Sequence, residues 1–166
     1  ITTIIADDEP LARERLRTLL DHEPDIEIVA ECSNGAHTVQ AVAKHRPALL
    51  FLDIHMPELD GFQVLQQVRN DFPTTVFVTA YDHFAIRAFE VDALDYLLKP
   101  FDSERFQETL RRVRDKIAQG QLNESILDFM QKHLPSHIQP PEEKRAFLQR
   151  IVIRSGGRIF FVRANE

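Results

Sequence analysis

The sequence predicts an α/β fold with a doubly wound parallel sheet of five strands. Three observations support this fold: five short apolar segments, a helical pattern of apolar residues between them, and proline or glycine at the boundaries. Strands separated by a helix do not pair as hairpins, because parallel strands need a long crossover connection. Right-handed crossovers then place helices on both faces of one sheet.

The predicted strands are short runs, most of them apolar throughout instead of alternating with polar residues. Continuous apolar runs are typical of strands that are buried on both faces of a sheet. A sheet covered by helices on both sides provides that environment. The five predicted strands are Thr3–Ala6, Ile26–Glu31, Ala48–Leu52, Thr75–Thr79 and Leu94–Leu98.

A helical pattern follows each predicted strand, with apolar residues three or four positions apart. Pro10 suits the first turn of the first helix, where the missing N–H is not needed. Pro24 and Pro47 end helices ahead of strands, and the third helix lies between Gly61 and Pro73. The apolar positions are Leu11, Leu16, Leu19 and Leu20; Val39, Val42 and Ala43; Leu65 and Val68; Phe84, Ala88 and Phe89; and Phe106, Leu110, Val113 and Ile117.

A change of composition near residue 118 predicts a linker and a second domain. Residues 118–149 contain a glycine, three prolines and a charged EEKR segment, with one or two helical turns expected at ILDFM. Residues 151–163 contain two β-like runs joined through Gly156 and Gly157, which predicts a hairpin. Because an isolated hairpin is only marginally stable in water, residues 150–166 are expected to begin a second, all-β domain.

The charge of the chain is unevenly distributed. Residues 1–117 carry 21 acidic and 13 basic side chains, a net charge of −8, whereas residues 118–166 carry 5 and 7, a net charge of +2. The overall charge of −6 disfavours tight binding of nucleic acid by the whole chain, because phosphate contacts need clustered Lys and Arg. We therefore expect the two parts to have different roles.

The composition indicates a cytoplasmic protein that does not contact a membrane. No apolar run approaches the roughly 18 residues of a membrane span. The opening residues ITTIIADDEP lack the basic stretch, apolar stretch and cleavage site of a secretory signal. The single cysteine, Cys32, cannot form an internal disulfide, and we expect it to be a small buried apolar residue.

Polar side chains stand at the ends of four predicted strands. Asp7 and Asp8 follow the first strand and Asp53 follows the third, while the fourth ends in Thr79 and the fifth runs into Lys99. Because the carboxyl ends of parallel strands meet at one edge, we expect these side chains to converge. Crowded carboxylates repel one another unless a divalent cation holds them, and oxygen ligands suit Mg²⁺. The sequence therefore predicts a magnesium site at this edge.

Each of these residues also has a simpler explanation. Asp8 equally suits a cap of the following helix. Thr79 fits an ordinary strand threonine, and Lys99 fits an ordinary surface lysine. Asp53 is harder to explain in this way, because it directly follows the apolar run ALLFL, where a lone charge is costly.

Four motifs occur together in the first 117 residues: ADDEP at 6–10, FLDIHMPELDG at 51–61, VTA at 78–80 and DYLLKPF at 95–101. In their order and spacing they resemble the receiver domain of two-component response regulators. The resemblance implies a flavodoxin-like fold and a regulatory domain that accepts a phosphoryl group from a sensor histidine kinase. It implies a phosphoacceptor domain and not an enzyme with external substrates.

The resemblance assigns roles to the acidic residues. Asp53 corresponds to the phosphoryl-accepting nucleophile. Asp7 and Asp8 correspond to the Mg²⁺-binding pair, with Asp53 and the backbone carbonyl of His55 as further ligands. A carboxylate is a competent nucleophile toward phosphorus, and phosphoryl transfer mainly needs positioning and charge neutralisation.

The resemblance also implies a conformational switch. Thr79 and Lys99 would contact the bound phosphoryl group, and the Lys99–Pro100 peptide bond would be cis. Tyr96 occupies the switch aromatic position. Because phosphorylation adds charge and acceptor oxygens, Thr79 would move inward to donate a hydrogen bond, and Tyr96 would fill the vacated space.

Two further segments resemble the regulators that carry a LytTR-type DNA-binding domain, a LytR/AlgR-like group. They are residues 80–102 of the receiver and the tail RIVIRSGGRIFFVRANE at 150–166. This resemblance implies control of transcription through promoter DNA bound by the full second domain. Arg154, Arg158 and Arg163 fit phosphate contacts, but a structural role is favoured because so little of that domain is present.

The family often forms homodimers through the fourth helix, fifth strand and fifth helix. The fifth predicted helix carries a basic stretch that is either a solvated face or a partner for acids such as Asp92 and Asp95 of a second receiver. The basic residues are Arg111, Arg112, Arg114 and Lys116.

Two other functions compete with this interpretation. One is a phosphatase-like hydrolase with Asp53 as nucleophile, but haloacid-dehalogenase enzymes carry a second Asp where this chain has His55. The other is a degenerate receiver that acts as a binding module without phosphorylation. The complete set of charged residues disfavours degeneration, because repelling carboxylates would be kept without a use.

Overall fold

In a computed structural model of the protein, the chain forms two compact units, Ile1–Ser125 and Ile126–Glu166. The first unit contains a five-stranded parallel sheet, and the second contains a two-stranded antiparallel sheet. The structure describes residues 1–68, 73–81, 84, 88, 91, 93–133, 150–155 and 158–163.

The parallel sheet consists of β1 (Thr2–Ala6), β2 (Glu27–Cys32), β3 (Leu49–Leu52), β4 (Thr74–Thr79) and β5 (Asp95–Leu98). The predicted bounds differ from these by at most one residue at each end. The strand order is β2-β1-β3-β4-β5, and every neighbouring pair is parallel. The predicted flavodoxin-like topology is therefore confirmed.

Four helices are described: α1 (Pro10–Leu20), α2 (Gly35–His45), α3 (Gly61–Gln67) and α4 (Ser103–His133). Local side chains fix where they begin. Pro10 lies in the first turn of α1, and the Asn34 side chain caps α2 by accepting the His37 N–H at 2.8 Å. Asp60 and Gln63 form a capping box at the start of α3.

Alternate residues of the strands build two cores, one on each face of the sheet. Ile4 and Leu50 point into the core that α2 and α3 cover, and Ile5 and Phe51 point into the core beneath α1 and α4. All four side chains are fully buried. Burial of one such side chain contributes about 1.5–3 kcal/mol, so the two cores stabilise the layered arrangement.

The prediction that the strands are buried on both faces holds only for the interior of the sheet. All four residues of β3 are buried, and so is nearly all of β1 and β4. The edge strands differ: β2 exposes Glu27 and Glu31, and β5 exposes Leu98. An edge strand has a neighbour on one side only, and exposed charges on β2 disfavour pairing with another chain.

Helix α4, which corresponds to the fifth predicted helix, is much longer than the sequence predicts. It continues through Gly120 to His133, so the first part of the predicted linker forms more than one or two helical turns. One glycine costs a helix about 1 kcal/mol, whereas the first residue that blocks a helix is Pro135. Among the residues that the structure describes, no helix combines the length and apolarity needed to cross a membrane.

Two predicted elements are described only in part. The helix predicted at Phe84, Ala88 and Phe89 lies largely outside the described residues. The hairpin strands β6 (Arg150–Ser155) and β7 (Arg158–Arg163) pair in antiparallel fashion, as predicted, while the glycines between them lie outside. The second all-β domain stays a prediction.

Candidate functional site

The carboxyl ends of the central strands lie level with one another. Ala6 pairs with Leu52, and the next residue, Asp53, donates its backbone N–H to the Ala6 carbonyl at 2.8 Å. On the other side, the backbone N–H of Lys99 donates to the Thr79 carbonyl at 2.8 Å. The residue that follows each of these strands is thus held at the same edge of the sheet.

Three carboxylates meet at this edge. One oxygen each from Asp7, Asp8 and Asp53 lies within 4.8 Å of the other two. Asp7 and Asp53 are buried and Asp8 is exposed, so the cluster is anchored in the protein and open to water on one side. Three hard oxygen donors with an open side fit a cation such as Mg²⁺, which keeps several waters of its own.

Lys99 brings a positive charge into the carboxylate cluster. Its Nζ lies 2.6 Å from Oδ2 of Asp7, 3.1 Å from Oδ2 of Asp53 and 3.8 Å from Glu9. The contact with Asp7 is an ion pair without regular hydrogen-bond geometry. The ammonium group thereby offsets part of the repulsion between the acids.

Burial and charge act in opposite directions on the two groups of this pair. Burial raises the pKa of Asp7, and it outweighs the lowering effect of Lys99. Burial also disfavours the charged form of Lys99, but its contacts with Asp7 and Asp53 are stronger, so the pKa of Lys99 is raised. Lys99 therefore stays charged, while Asp7 holds a proton more readily than an exposed aspartate.

The two oxygens of Asp53 have different surroundings. Oδ1 accepts the backbone N–H of Ile54 at 2.6 Å and that of His55 at 3.3 Å. Oδ2 faces the Lys99 ammonium group. These contacts fix the carboxylate orientation and leave Oδ2 as the oxygen nearest to positive charge.

The Thr79 hydroxyl is an unused donor at the same edge. Its Oγ1 is fully buried and has no hydrogen-bond partner among the described residues. A buried hydroxyl without a partner costs free energy, so such groups in native proteins call for an explanation. An oxygen-rich anion at this edge would accept its hydrogen bond.

Tyr96 connects β5 to the chain that follows β4. Its hydroxyl donates to the backbone carbonyl of Tyr81, and its ring lies against Phe77 with the centroids 6.5 Å apart.

The peptide bond between Lys99 and Pro100 is cis.

The aromatic contacts of the His55 ring and the carboxylate of Glu9 beside Lys99 were not predicted from the sequence. The exposed His55 ring packs against Tyr81, with the centroids 4.3 Å apart, and against Phe84 at 5.4 Å. Glu9 contributes a further carboxylate near Lys99. The position of Glu9 directly after the Asp pair was a usable signal, whereas the aromatic contacts depend on loop geometry.

Asp95, considered above as one alternative partner for a second receiver, has partners within its own chain. The buried Asp95 carboxylate accepts hydrogen bonds from the Arg105 guanidinium at 2.6 and 3.0 Å. The Arg112 guanidinium lies 3.4 Å from the same carboxylate. Because α4 packs alongside β5, two of its arginines contact this carboxylate within the same chain. Asp92, the other acid considered, lies outside the described residues.

Comparisons with known proteins agree with the geometry. A family model for the response regulator receiver domain matches residues 3–111. An uncharacterized response regulatory protein of Shewanella oneidensis is 44% identical over 138 residues, which cover 82% of this chain and 58% of the relative. The transcriptional regulatory protein BtsR of Escherichia coli is 50% identical over 117 residues, 70% of this chain and 49% of the relative. The chain thus spans about half the length of the curated relatives it matches.

Solved structures show the same fold. The response regulatory domain of mrkE from Klebsiella pneumoniae superposes with a TM-score of 0.68 at 32% identity, covering 72% of this chain and 99% of that domain. The REC domain of AraT from Geobacillus stearothermophilus gives a TM-score of 0.67 at 35% identity, covering 72% and 97%.

Proposed function

The chain belongs to the response regulator receiver domain family, and from that premise we propose that Asp53 is the phosphoryl acceptor of a two-component system. The observation that carries the proposal is the position of Asp53 Oδ2, 3.1 Å from the Lys99 ammonium and inside the three-carboxylate cluster. The phosphodonor in the cell is a sensor histidine kinase, the usual partner of this family.

The acceptor reaction forms one bond and breaks one. Asp53 Oδ2 attacks the phosphorus atom of the donor, the bond from phosphorus to the donor's leaving group breaks, and an acyl phosphate remains on the protein. Lys99 attracts the phosphoryl oxygens during transfer, and the Thr79 hydroxyl donates to one of them. The backbone N–H groups of Ile54 and His55 keep the carboxylate in line.

The residues that would hold Mg²⁺ are Asp7, Asp8, Asp53 and the backbone carbonyl of His55. When bound, the ion neutralises charge on the transferring oxygens. The oxygen-only donor set and its exposed side support this assignment.

Switching follows from the position of Thr79. Thr79 lies two residues before Tyr81, whose carbonyl accepts the Tyr96 hydroxyl. When Thr79 turns toward the phosphoryl group, it shifts the segment that holds Tyr96, and Tyr96 moves into the vacated space. The local charge change thereby alters the surface of β5.

We further propose that the output is transcription. The domains are the receiver at 1–117, a linker at 118–149 and, at 150–166, the start of a LytTR-type domain that binds promoter DNA. A relative named as a transcriptional regulatory protein and the partial coverage of the relatives support this. The protein acts in the cytoplasm, as a homodimer that joins through β5, α4 and the helix predicted near Phe84.

The test is covalent labelling with acetyl phosphate and Mg²⁺, followed by intact-mass measurement. We expect wild type to gain the mass of one phosphoryl group and Asp53→Asn to gain none. Asp60→Asn is the matched control, because Asp60 caps α3 outside the cluster and asparagine caps equally well. No gain in wild type, or an undiminished gain in Asp53→Asn, would overturn the proposal.

The hydrolase alternative gives a different result in the same assay. A hydrolase would turn over p-nitrophenyl phosphate many times per molecule without retaining label. His55 offers no carboxylate at the position where such enzymes place their acid, so we expect no sustained turnover.

A further inference from the structure

A guanidinium group outside the acceptor site contacts the loop that carries the acidic pair. Arg13, in α1, donates from Nη1 to the backbone carbonyl of Asp7 at 2.7 Å. The Arg13 side chain is 19% exposed, so water competes little for this bond. The carbonyl belongs to the peptide unit between Asp7 and Asp8, and the orientation of that unit decides where both carboxylates point.

The backbone N–H of Asp7 and its Oδ1 are already held by the surrounding backbone. Its N–H donates to the carbonyl of Cys32 at 3.0 Å, and its Oδ1 accepts the N–H of Glu9 at 3.0 Å. The carbonyl is the remaining backbone group, and Arg13 fixes it with a charge-assisted hydrogen bond. Loss of this bond would release the Asp7 carbonyl, and with it the peptide unit between Asp7 and Asp8.

Arg13 is in turn anchored to β2. Its Nε lies 3.9 Å from Glu31, and Arg17 holds the same carboxylate with two hydrogen bonds of 2.7 Å. Glu31 therefore offsets the charge of Arg13 and restrains its position. The main effect of Arg13 on the acidic cluster is thus orientation and not net charge.

We propose that Arg13 is a positioning residue for the divalent cation site, setting its affinity for Mg²⁺ through the Asp7–Asp8 peptide without touching the ion. This inference rests on the proposed function, because it requires the acidic cluster to bind Mg²⁺. Residues that orient metal ligands from outside typically change metal affinity by about 10–100-fold when they are removed.

The test is calorimetric titration of the full chain with Mg²⁺. We expect Arg13→Met to raise the Kd about tenfold, and Arg13→Lys, which keeps a charged donor, to raise it less. Arg17→Met is the matched control, because Arg17 shares Glu31 but makes no contact with the Asp7 carbonyl. We expect Arg17→Met to bind Mg²⁺ like wild type.

Each outcome separates the two ideas. If wild type does not bind Mg²⁺, the proposed function fails. If wild type binds and Arg13→Met binds equally well, or if Arg17→Met weakens binding as much, the positioning role fails and the proposed function stands. If circular dichroism shows that Arg13→Met does not fold, the Kd for Mg²⁺ is compared between Arg13→Lys and Arg17→Lys instead. Equal Kd values for these two variants would overturn the inference.

Discussion

Lys99 Nζ lies 2.6 Å from Oδ2 of Asp7, which joins the residue after the last strand of the sheet to the residue after the first. The Asp7 side chain is 1% exposed and that of Lys99 is 15% exposed. The ion pair is therefore an internal one, and Asp7 depends on the Lys99 ammonium for charge compensation.

Removal of the ammonium group is expected to destabilise the domain. Lys99→Met leaves the buried acids Asp7 and Asp53 without a counter-charge, which costs about 3 kcal/mol. Mg²⁺ should restore more stability to the variant than to wild type, because the ion supplies the missing charge. Urea unfolding with EDTA and with Mg²⁺ measures both effects, with the exposed Lys44→Met as control. Equal stability of variant and wild type in EDTA would contradict this expectation.

The contact between Asp95 and Arg105 should be strongly coupled. The Asp95 side chain is 1% exposed, so Arg105→Met leaves a buried carboxylate and is expected to cost about 3 kcal/mol. Asp95→Asn combined with Arg105→Met should cost less than the sum of the single changes, with a coupling of about 0.5–3 kcal/mol. A double-mutant cycle by denaturant unfolding measures this. Additive effects would mean that the two groups do not interact.

The ion pairs of Arg114 predict a pH dependence. Hydrogen bonds from Gln107 and Arg114 hold the pKa of Glu23 below 4.5, and Arg114 holds that of Asp25 below 3.8. A lowered folded-state pKa gives stability that is present above the ordinary value and lost as the pH falls through the lowered one. These groups are near the surface, so Arg114→Met should cost only about 0.5–1 kcal/mol at neutral pH.

The difference between wild type and Arg114→Met should shrink once the pH falls below about 4, where the carboxylates become protonated. Unfolding free energies measured over a pH series provide the check. Arg111→Met, which removes an exposed arginine of the same helix, is the control. A difference that is constant with pH would rule out these ion pairs as its source.

Substitution by alanine should have opposite effects on stability at Gly35 and Gly120. A Cβ atom on Gly35 would lie 2.2 Å from the carbonyl oxygen of Leu59, whereas one on Gly120 would meet nothing within 4 Å. Gly35→Ala is therefore expected to cost about 1–3 kcal/mol. Gly120→Ala should raise helix stability by up to about 1 kcal/mol. Thermal unfolding by circular dichroism compares them, and a Gly35→Ala variant as stable as wild type would show that the loop at Leu59 yields.

Much of the fold was predictable because it follows from local patterns. The five strands were placed to within one residue, since apolar runs and boundary prolines are properties of adjacent residues. The length of α4 was not predictable in this way, because Gly120 weakens a helix without ending it. The burial of β2 was overestimated, because an apolar run does not show whether its strand lies at the centre or the edge of the sheet.

The residues of the candidate site were also predictable only in part. Asp7, Asp53, Thr79 and Lys99 were predictable as residues at strand ends, because parallel strands bring those ends together. The bond from Arg13 to the Asp7 carbonyl was not, since it depends on how α1 lies against β1. A contact of Asp95 with a second receiver was one alternative, and the contacts with Arg105 inside its own chain were not predicted, because they depend on how α4 lies against β5.

The sequence by itself determined the order of strands and helices, the carboxylates that share one edge, and the acidic character of the first domain. The tertiary structure alone decided which oxygen of Asp53 faces Lys99, that the Thr79 hydroxyl has no hydrogen-bond partner among the residues the structure describes, and which arginine contacts the Asp7 carbonyl. The physical reason is that these features depend on residues at different separations along the chain. Periodicity is set by neighbours along the chain, whereas a contact of 2.6 to 3.1 Å between distant residues depends on strand register and helix packing over the whole domain.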